Sequence, residues 1–321
     1  MILPADYHMH TPLCRHAVGE PKELAAQALK VGLSEIGFSD HSPMPRDDFD
    51  EWRMRADQLG EYVAKVEAAR RAHPALRIKL GLEVDYLPGY EDWIRDLASR
   101  YEWDYFIGSV HYVGGRGSRV GGGGRGEEGG QRTEGRDEGS GFRVQGAEGG
   151  MERLLKSSLT GNAGEPGWAI DSPQAISEWK RRKPYEVWSA YFERLTLAAE
   201  SGLFNIIGHA DLCKKFCFYP KEDCEPLFIR FLEAAKRSGT AIELNTAGLR
   251  KDCREIYPSL HILRLAAEHE VPITFGSDAH APGEVGADFN KAMRLAREAG
   301  YDRYHRFTRR RAEETALPPR S

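Results

Sequence analysis

Asp6-Tyr7-His8-Met9-His10, continuing into Thr11-Pro12-Leu13-Cys14-Arg15-His16, decides how this chain is read. The first run reads as a short strand. Side chains two apart on a strand share a face, so His8 and His10 reach one ion together. His16 follows in a loop able to fold back over the same point. A plain surface cluster of histidines has the same local appearance. What separates the two readings is whether other strands end in matching ligands.

Working outward, short apolar runs and helical periods alternate along the chain. A helix over Pro21–Gly32, ended by Gly32, precedes a strand over Ser34–Ser39 that runs into Asp40-His41-Ser42-Pro43. Residues 55–72 are helical, and Arg77–Leu82 is a strand ending at Glu83-Val84-Asp85. A helix near 89–99 and a strand over Asp104–Val110, ending at His111, come next. Further helices are expected over Glu178–Ser201, Lys221–Ser238, Ser259–Glu268 and Glu284–Ala299. The strands among them, Leu203–Ile207, Thr240–Leu244 and Pro272–Phe275, run into Gly208-His209-Ala210-Asp211, Asn245-Thr246-Ala247-Gly248-Leu249-Arg250-Lys251 and Gly276-Ser277-Asp278-Ala279-His280. Alternation of this kind gives an α/β fold with a parallel sheet and right-handed crossovers. The unit repeats about seven times. Functional side chains at nearly every strand end favour a closed barrel, which converges its strand ends on one mouth, over an open sheet with one switch point.

Residues 114–150 interrupt the alternation with 16 glycines in 37 positions, 12 Arg, Asp or Glu, and almost no large apolar side chain. Such a segment cannot bury enough apolar surface to offset its ordering entropy. A disordered, low-complexity surface insertion over 114–165, after the fourth strand, is therefore expected within a single domain of residues 1–321. Its charges are mixed in sign, which argues against a nucleic-acid tail. Arg309-Arg310-Arg311 near the C-terminus reads as a solvated surface strand or helix end.

The chain has 321 residues, 40% hydrophobic and 29% charged, with a net charge of −4. These are ordinary values for a globular enzyme and carry no signature of a nucleic-acid or anionic-membrane surface. No apolar run approaches the roughly 20 residues of a membrane span. Met1-Ile2-Leu3-Pro4 carries no basic segment leading into an apolar core, so no secretory signal is expected. Five scattered cysteines, Cys14, Cys213, Cys217, Cys224 and Cys253, fit a reducing, cytoplasmic compartment. Cys213 and Cys217 lack the second pair that a zinc site needs.

Seven of the 11 histidines sit just past strand-like runs: His8, His10, His16, His41, His111, His209 and His280. Core packing accounts for one or two of these, not for seven accompanied by Glu83 and Asp278. Imidazole with carboxylate suits Zn, Mn or Fe. The donors outnumber the ligands of one ion, so two or three divalent ions are expected, with Glu83 as a natural bridge. Such clusters hydrolyse phosphoesters or amides. Arg250 and Lys251, one loop past Glu243, and Arg15 beside the metal loop favour phosphate, because a guanidinium holds two phosphate oxygens in parallel hydrogen bonds. A solvated basic loop is the alternative role for Arg250, Lys251 and Arg254.

These motifs together resemble the PHP (polymerase and histidinol phosphatase) metal-dependent phosphoesterases. The resemblance rests on His8-Met9-His10-Thr11, Ser39-Asp40-His41-Ser42, Gly81-Leu82-Glu83, Gly108-Ser109-Val110-His111, Gly208-His209-Ala210-Asp211 and Gly276-Ser277-Asp278-Ala279-His280. Within that superfamily, Thr11–His16, Ser42-Pro43-Met44-Pro45 and Glu243–Lys251 look like the histidinol-phosphate phosphatases of histidine biosynthesis. The resemblance implies a distorted (β/α)7 barrel and a trinuclear site. It implies one ion on His8, His10, Glu83 and Asp278, a second on Glu83, His111 and His209, and a third on His16, His41 and His280. It makes Asp40 an acid–base or imidazole-orienting group, with Asp278 and His280 also at the catalytic centre, and Arg250 the phosphate clamp. The implied reaction is hydrolysis of L-histidinol phosphate, a small-molecule phosphomonoester, by attack of a metal-bound hydroxide. A PHP phosphoesterase with another phosphomonoester or nucleotide substrate, and a non-catalytic metal-binding regulatory module, are the alternatives. The second is disfavoured because every candidate ligand position holds a competent ligand. Oligomeric state is left open.

Overall fold

A computed structural model describes residues 3–114 and 167–319, so the glycine-rich insertion lies outside the described residues. The described chain alternates as the sequence periods require. Helix α1 (Pro21–Val31) precedes β1 (Glu35–Phe38), α2 (Leu59–Ala72) precedes β2 (Arg77–Asp85), and α3 (Glu91–Arg100) precedes β3 (Tyr105–Ser109). A small antiparallel ladder of β4 (Tyr112–Val113) and β5 (Trp168–Ala169) brackets the insertion and brings Gly114 and Gly167 side by side. Helices α4 (Ile176–Arg181) and α5 (Pro184–Glu200) lead to β6 (Ile206–Ile207), α6 (Glu225–Ser238) to β7 (Ala241–Asn245), and α7 (Leu260–Glu268) to β8 (Ile273–Gly276). Helix α8 (Phe289–Glu298) and a hairpin of β9 (Arg303–Thr308) and β10 (Arg311–Ala316) end the fold.

The element boundaries follow local chemistry. Helix α1 starts at Pro21, is capped reciprocally by Glu20 and Glu23, and stops at Gly32 with φ 92°. The single helix expected over Glu178–Ser201 is instead two. Pro184 has no N–H to give and opens α5 at its first turn, while α4 ends at Arg181. The helix expected from Lys221 begins at Glu225 for the same reason, with Pro226 in its first turn.

Six parallel strands form one sheet in the order β1-β2-β3-β6-β7-β8, and every residue of β1, β3, β7 and β8 is buried. Helices cover the outside of such a sheet, so its strands read as continuous apolar runs. The opening segment joins its two edges. On the β1 side Gly37 N–H donates to Asp6 O (2.7 Å) and Ser39 N–H to Met9 O (3.0 Å). On the β8 side Tyr7 N–H donates to Phe275 O (3.0 Å) and Ala279 N–H to His8 O (3.1 Å). Residues 6–10 therefore act as the seventh strand and close the distorted barrel.

Aromatic side chains fill the interior. Tyr105 donates to the carbonyls of Tyr7 (2.7 Å) and Phe38 (3.1 Å). Its ring occupies the space a side chain on Gly37 would need, since a Cβ there would lie 2.2 Å from the Tyr105 hydroxyl. The β9–β10 hairpin plugs the far end, where Phe307 packs edge-on against Tyr7 with ring centroids 5.7 Å apart.

Arg309 and Arg311 are exposed, Arg311 at the start of the surface strand β10, as expected, whereas Arg310 is half-buried. Arg309 and Arg310 form the two-residue hairpin turn, at φ 48° and 63°. Arg309 N–H donates to Asp104 Oδ1 (3.1 Å), Asn205 donates to Arg310 O (3.0 Å), and the Arg310 guanidinium lies 4.3 Å over the Phe106 ring. On the same hairpin Arg306 pairs with the buried Glu35.

Burial favours the neutral acid of Glu35, but Arg306 and the Tyr7 hydroxyl outweigh it and hold the carboxyl below its ordinary value. A carboxylate with a depressed folded pKa adds stability that is present above the unfolded value and lost as pH falls. Arg306→Met is expected to lower the unfolding midpoint at pH 7 and to shrink the further drop in midpoint on acidification below the ordinary glutamate range. Circular dichroism melts across that range check both. Phe307→Ala is expected to cost about 3–5 kcal/mol in denaturant titrations.

Candidate metal centre

Each strand of the barrel delivers polar side chains at its C-terminal end, and these meet at one mouth. His8 and His10 come from the closing strand, Asp40 and His41 follow β1, and Glu83 and Asp85 end β2. His111 follows β3, His209 follows β6, Glu243 and Asn245 lie on β7, and Asp278 and His280 follow β8. His16 comes back over them from a short turn held by its Nδ1 on Cys14 O (2.8 Å). His209 and Asp278 adopt left-handed backbone, φ 27° and 51°. Such strain persists where the surroundings over-determine it. Glu243 accepts the His209 N–H (3.0 Å), and Tyr191 donates to the His209 carbonyl (2.9 Å). Arg250 donates to the carbonyls of Ser277 (2.8 Å) and Asp278 (3.2 Å).

Glu83 lies at the centre, and its two oxygens face different rings. Oε2 is 2.8 Å from His41 Nδ1, 3.2 Å from His8 Nε2 and 3.5 Å from His10 Nε2. Oε1 is 2.9 Å from His209 Nε2 and 3.6 Å from His111 Nε2, and accepts from the Ser109 hydroxyl (2.7 Å). Asp278 Oδ1 lies 3.4 Å from His10 Nε2 and 3.7 Å from His8 Nε2. His16 and His280 meet through their Nε2 atoms at 2.9 Å.

Burial favours the neutral acid of Glu83, yet His41, His8 and His209 together hold its carboxyl well below the usual range. Burial likewise depresses His41 to about 4, and keeps His10 low with the help of His280 and His41.

An outer ring of groups aims the inner one. The His8 ring is held through Nδ1 by Glu243 (2.7 Å), leaving Nε2 for the cluster. Asn245 steadies the same carboxylate (3.0 Å). His111 is held through Nδ1 by Asp85 (2.9 Å), which lifts its pKa to about 10 against the effect of burial. Arg53 backs Asp85 (2.9 Å) and also pairs with Asp50. A side chain on Gly276 would collide with this arrangement, since its Cβ would fall 2.6 Å from that of His8 and closer still to Glu243.

The donor set fits divalent cations. His8 Nε2, both nitrogens of His10, His41 Nδ1, His209 Nδ1 and Glu83 Oε2 are buried and make no hydrogen bond of proper angle, close as His41 Nδ1 and Glu83 Oε2 lie. Buried polar atoms are otherwise almost always paired. Donor atoms within 4.8 Å of one another group as His8–His10–Asp278, His41–Glu83–His111, His10–His41–His280, Cys14–His16–His280 and His10–Cys14–Asp40. The first holds three of the four residues of the first set implied by the resemblance, without Glu83, and the others mix members of the implied sets with Cys14 and Asp40.

The remaining expected residues fall in different places. A cavity of about 480 Å³ lies over the cluster, with His16, His41, Glu83, His111, His209, Asp278 and His280 on its floor. Lys251 is in its wall, along with Trp52, Asp171, Lys215 and Tyr257, none of which the sequence singled out. Arg250 lies outside the lining, pairing with Glu284 (3.2 Å) besides the two carbonyls. Arg15 is exposed and also outside it. Asp40 is buried beneath the floor, where it accepts the N–H and hydroxyl of Thr11 and lies within 4.8 Å of a donor atom of His10. Asp85 and Glu243 were visible as strand-end carboxylates, but nothing local marked them as partners of His111 and His8.

A parallel barrel with imidazoles and carboxylates at its mouth defines a class, the metal-dependent hydrolases built on such barrels. The PHP domain model matches residues 6–137 and the PHP-associated model residues 261–291. A Deinococcus radiodurans protein named "Probable histidinol-phosphatase" is 36% identical over 297 residues, covering 92% of this chain and 93% of that protein. The Bacillus subtilis histidinol-phosphatase is 28% identical over 297 residues, covering 88% and 95%. The crystal structure of Lactococcus lactis histidinol phosphate phosphatase, complexed with Zn, L-histidinol and phosphate, shares the fold with a TM-score of 0.70 at 17% identity, covering 98% of this chain and 100% of that one. The chain belongs to the PHP family of metal-dependent phosphatases, among its histidinol-phosphatases. Among the described residues no helix is long and apolar enough to cross a membrane.

Groups that aim a metal ligand contribute about ten- to a hundredfold to affinity. Glu243→Ala and Asp85→Ala are each expected to weaken metal retention by that order. Metal analysis after dialysis against graded chelator checks this, with far-ultraviolet circular dichroism confirming the fold.

Proposed function

We propose that this protein hydrolyses L-histidinol phosphate to L-histidinol and inorganic phosphate, in the cytoplasm, as a step of histidine biosynthesis. The observation that carries the reading is the Glu83 carboxylate, which turns one oxygen to His8, His10 and His41 and the other to His111 and His209. With divalent ions bound, a carboxylate so placed would be a ligand shared between the two groups of imidazoles. The 36% identity to the Deinococcus protein across nearly the whole chain supports the substrate.

His8, His10, His16, His41, Glu83, His111, His209, Asp278 and His280 would hold two or three ions of Zn, Mn or Fe. Those ions supply positive charge against the phosphoryl oxygens and a nucleophile competent at neutral pH. The chain's own groups do the rest. Glu243 and Asp85 keep the Nε2 atoms of His8 and His111 aimed at the cluster. Lys251, in the cavity wall, faces the phosphate with a cationic head. Arg250 fixes the strained turn that presents Asp278. Trp52 and Tyr257 wall the cavity with aromatic surface.

Phosphate release from L-histidinol phosphate, measured against a panel of other phosphomonoesters with metal content determined on the same protein, tests the reading. L-Histidinol phosphate is expected to be the preferred substrate. His8→Ala and Asp278→Ala are each expected to abolish turnover while leaving the circular dichroism spectrum unchanged. Near-normal turnover by either variant would refute the assignment.

A further inference from the structure

One carboxylate in the cavity wall stands apart from the cluster. Asp171 follows β5, where the Ile170 N–H donates to the His111 carbonyl (2.8 Å). The backbone of Asp171 is therefore anchored one residue from a histidine of the site. Its carboxylate shares the cavity with Glu83 and Asp278, but those two are turned into the imidazoles. Asp171 turns to Lys215 instead, whose ammonium reaches the Asp171 carbonyl (2.6 Å) and Oδ2 (3.1 Å). A carboxylate offers about four acceptor sites. Lys215 uses one of them, and Oδ1 has no partner among the described residues.

We infer that Asp171 receives the ammonium group of the substrate and selects phosphomonoesters that carry an amine beside the ester carbon. This rests on the proposed function above, whose substrate has its amine on the carbon next to the phosphorylated methylene. A carboxylate that meets this amine must stand beside the cluster, not at the rim. Asp171 lines the cavity over the cluster, one residue past the backbone tie between Ile170 and His111. Despite half-burial, the Lys215 ammonium beside it holds the Asp171 carboxyl below its ordinary value, in the form that binds a cation. Lys215 thereby positions Asp171, while Lys251 on the same wall remains available to the phosphate. The wall pairs an anion with a cation, matching a substrate that carries both charges.

The test compares L-histidinol phosphate with its deamino analogue, 3-(imidazol-4-yl)propyl phosphate, on metal-loaded protein. A hydrogen bond between charged groups is worth enough that Asp171→Asn should raise KM for L-histidinol phosphate about tenfold or more, with kcat little changed. For the deamino analogue the same substitution should change kcat/KM less than about twofold, because that substrate never used the carboxylate. Asp171→Glu should recover part of the discrimination. An equal loss on both substrates would overturn the inference and make Asp171 only a support for Lys215. So would no loss on either. Wild-type protein that fails to hydrolyse L-histidinol phosphate while hydrolysing other phosphomonoesters would overturn the proposed function instead.

Discussion

An ionised carboxylate buried at the centre of a barrel mouth sets the terms for the rest of this molecule. The Glu83 side chain is 1% exposed. Withdrawing a carboxylate from water costs several kcal/mol unless positive charge or donors face it. Both edges of the sheet, and the segment that joins them, answer that requirement. His8, His10, His41, His111 and His209 all turn a nitrogen toward Glu83, and each comes from a different strand end except the first pair. The polar residues thus gather at one end of the barrel. The other end carries the packed rings of Tyr7, Tyr105 and Phe307, with the Tyr7 hydroxyl bonded to Glu35 and that of Tyr105 to backbone carbonyls.

Much of this was legible because barrel strands carry a strong local signal. Short β-branched and aromatic runs ending in His, Asp or Glu recur at βα spacing, and the structure brings all nine expected metal donors to one mouth. The segment around His8 carries a strand pattern, although what makes it a strand is pairing with residues about 30 and about 270 positions away. The C-terminal hairpin was not legible. Its turn is Arg309-Arg310, where Asn-Gly is the usual signature, and its strands are dense in charge, with Arg306 paired to Glu35 far off in sequence. The outer supports were also hidden. A carboxylate that steadies a histidine looks the same in sequence as one that faces it, so Glu243 and Asp85 could not be told from Glu83. Asp50, Trp52 and Arg53 sit in an irregular loop with no period to read.

That irregular loop has a definite place in the site. Tyr112 donates to Asp50 (2.8 Å), Asp50 pairs with Arg53, Arg53 with Asp85, and Asp85 with His111. Tyr112 also lies on β4, whose partner β5 returns the chain from the insertion and leads to Asp171. The long segment between β4 and β5 is thus rooted on a ladder whose members hold one side of the metal centre and one wall of the cavity. Its length is accommodated there because Gly114 and Gly167 already lie together, and loops joined at adjacent points disturb the scaffold little.

Closure of the barrel by residues 6–10 carries a consequence in time. These residues leave the ribosome before the rest of the barrel, and the N–H of Ser277 that bonds Asp6 lies 271 positions later. At roughly 5–20 residues per second, the first histidines wait on the order of ten to sixty seconds for the strand that completes their site. Metal cannot be captured in its final geometry until β8 and the residues just after it have emerged. A ribosome-bound fragment lacking β8 would present His8 and His10 with neither Asp278 nor His280 to complete their coordination.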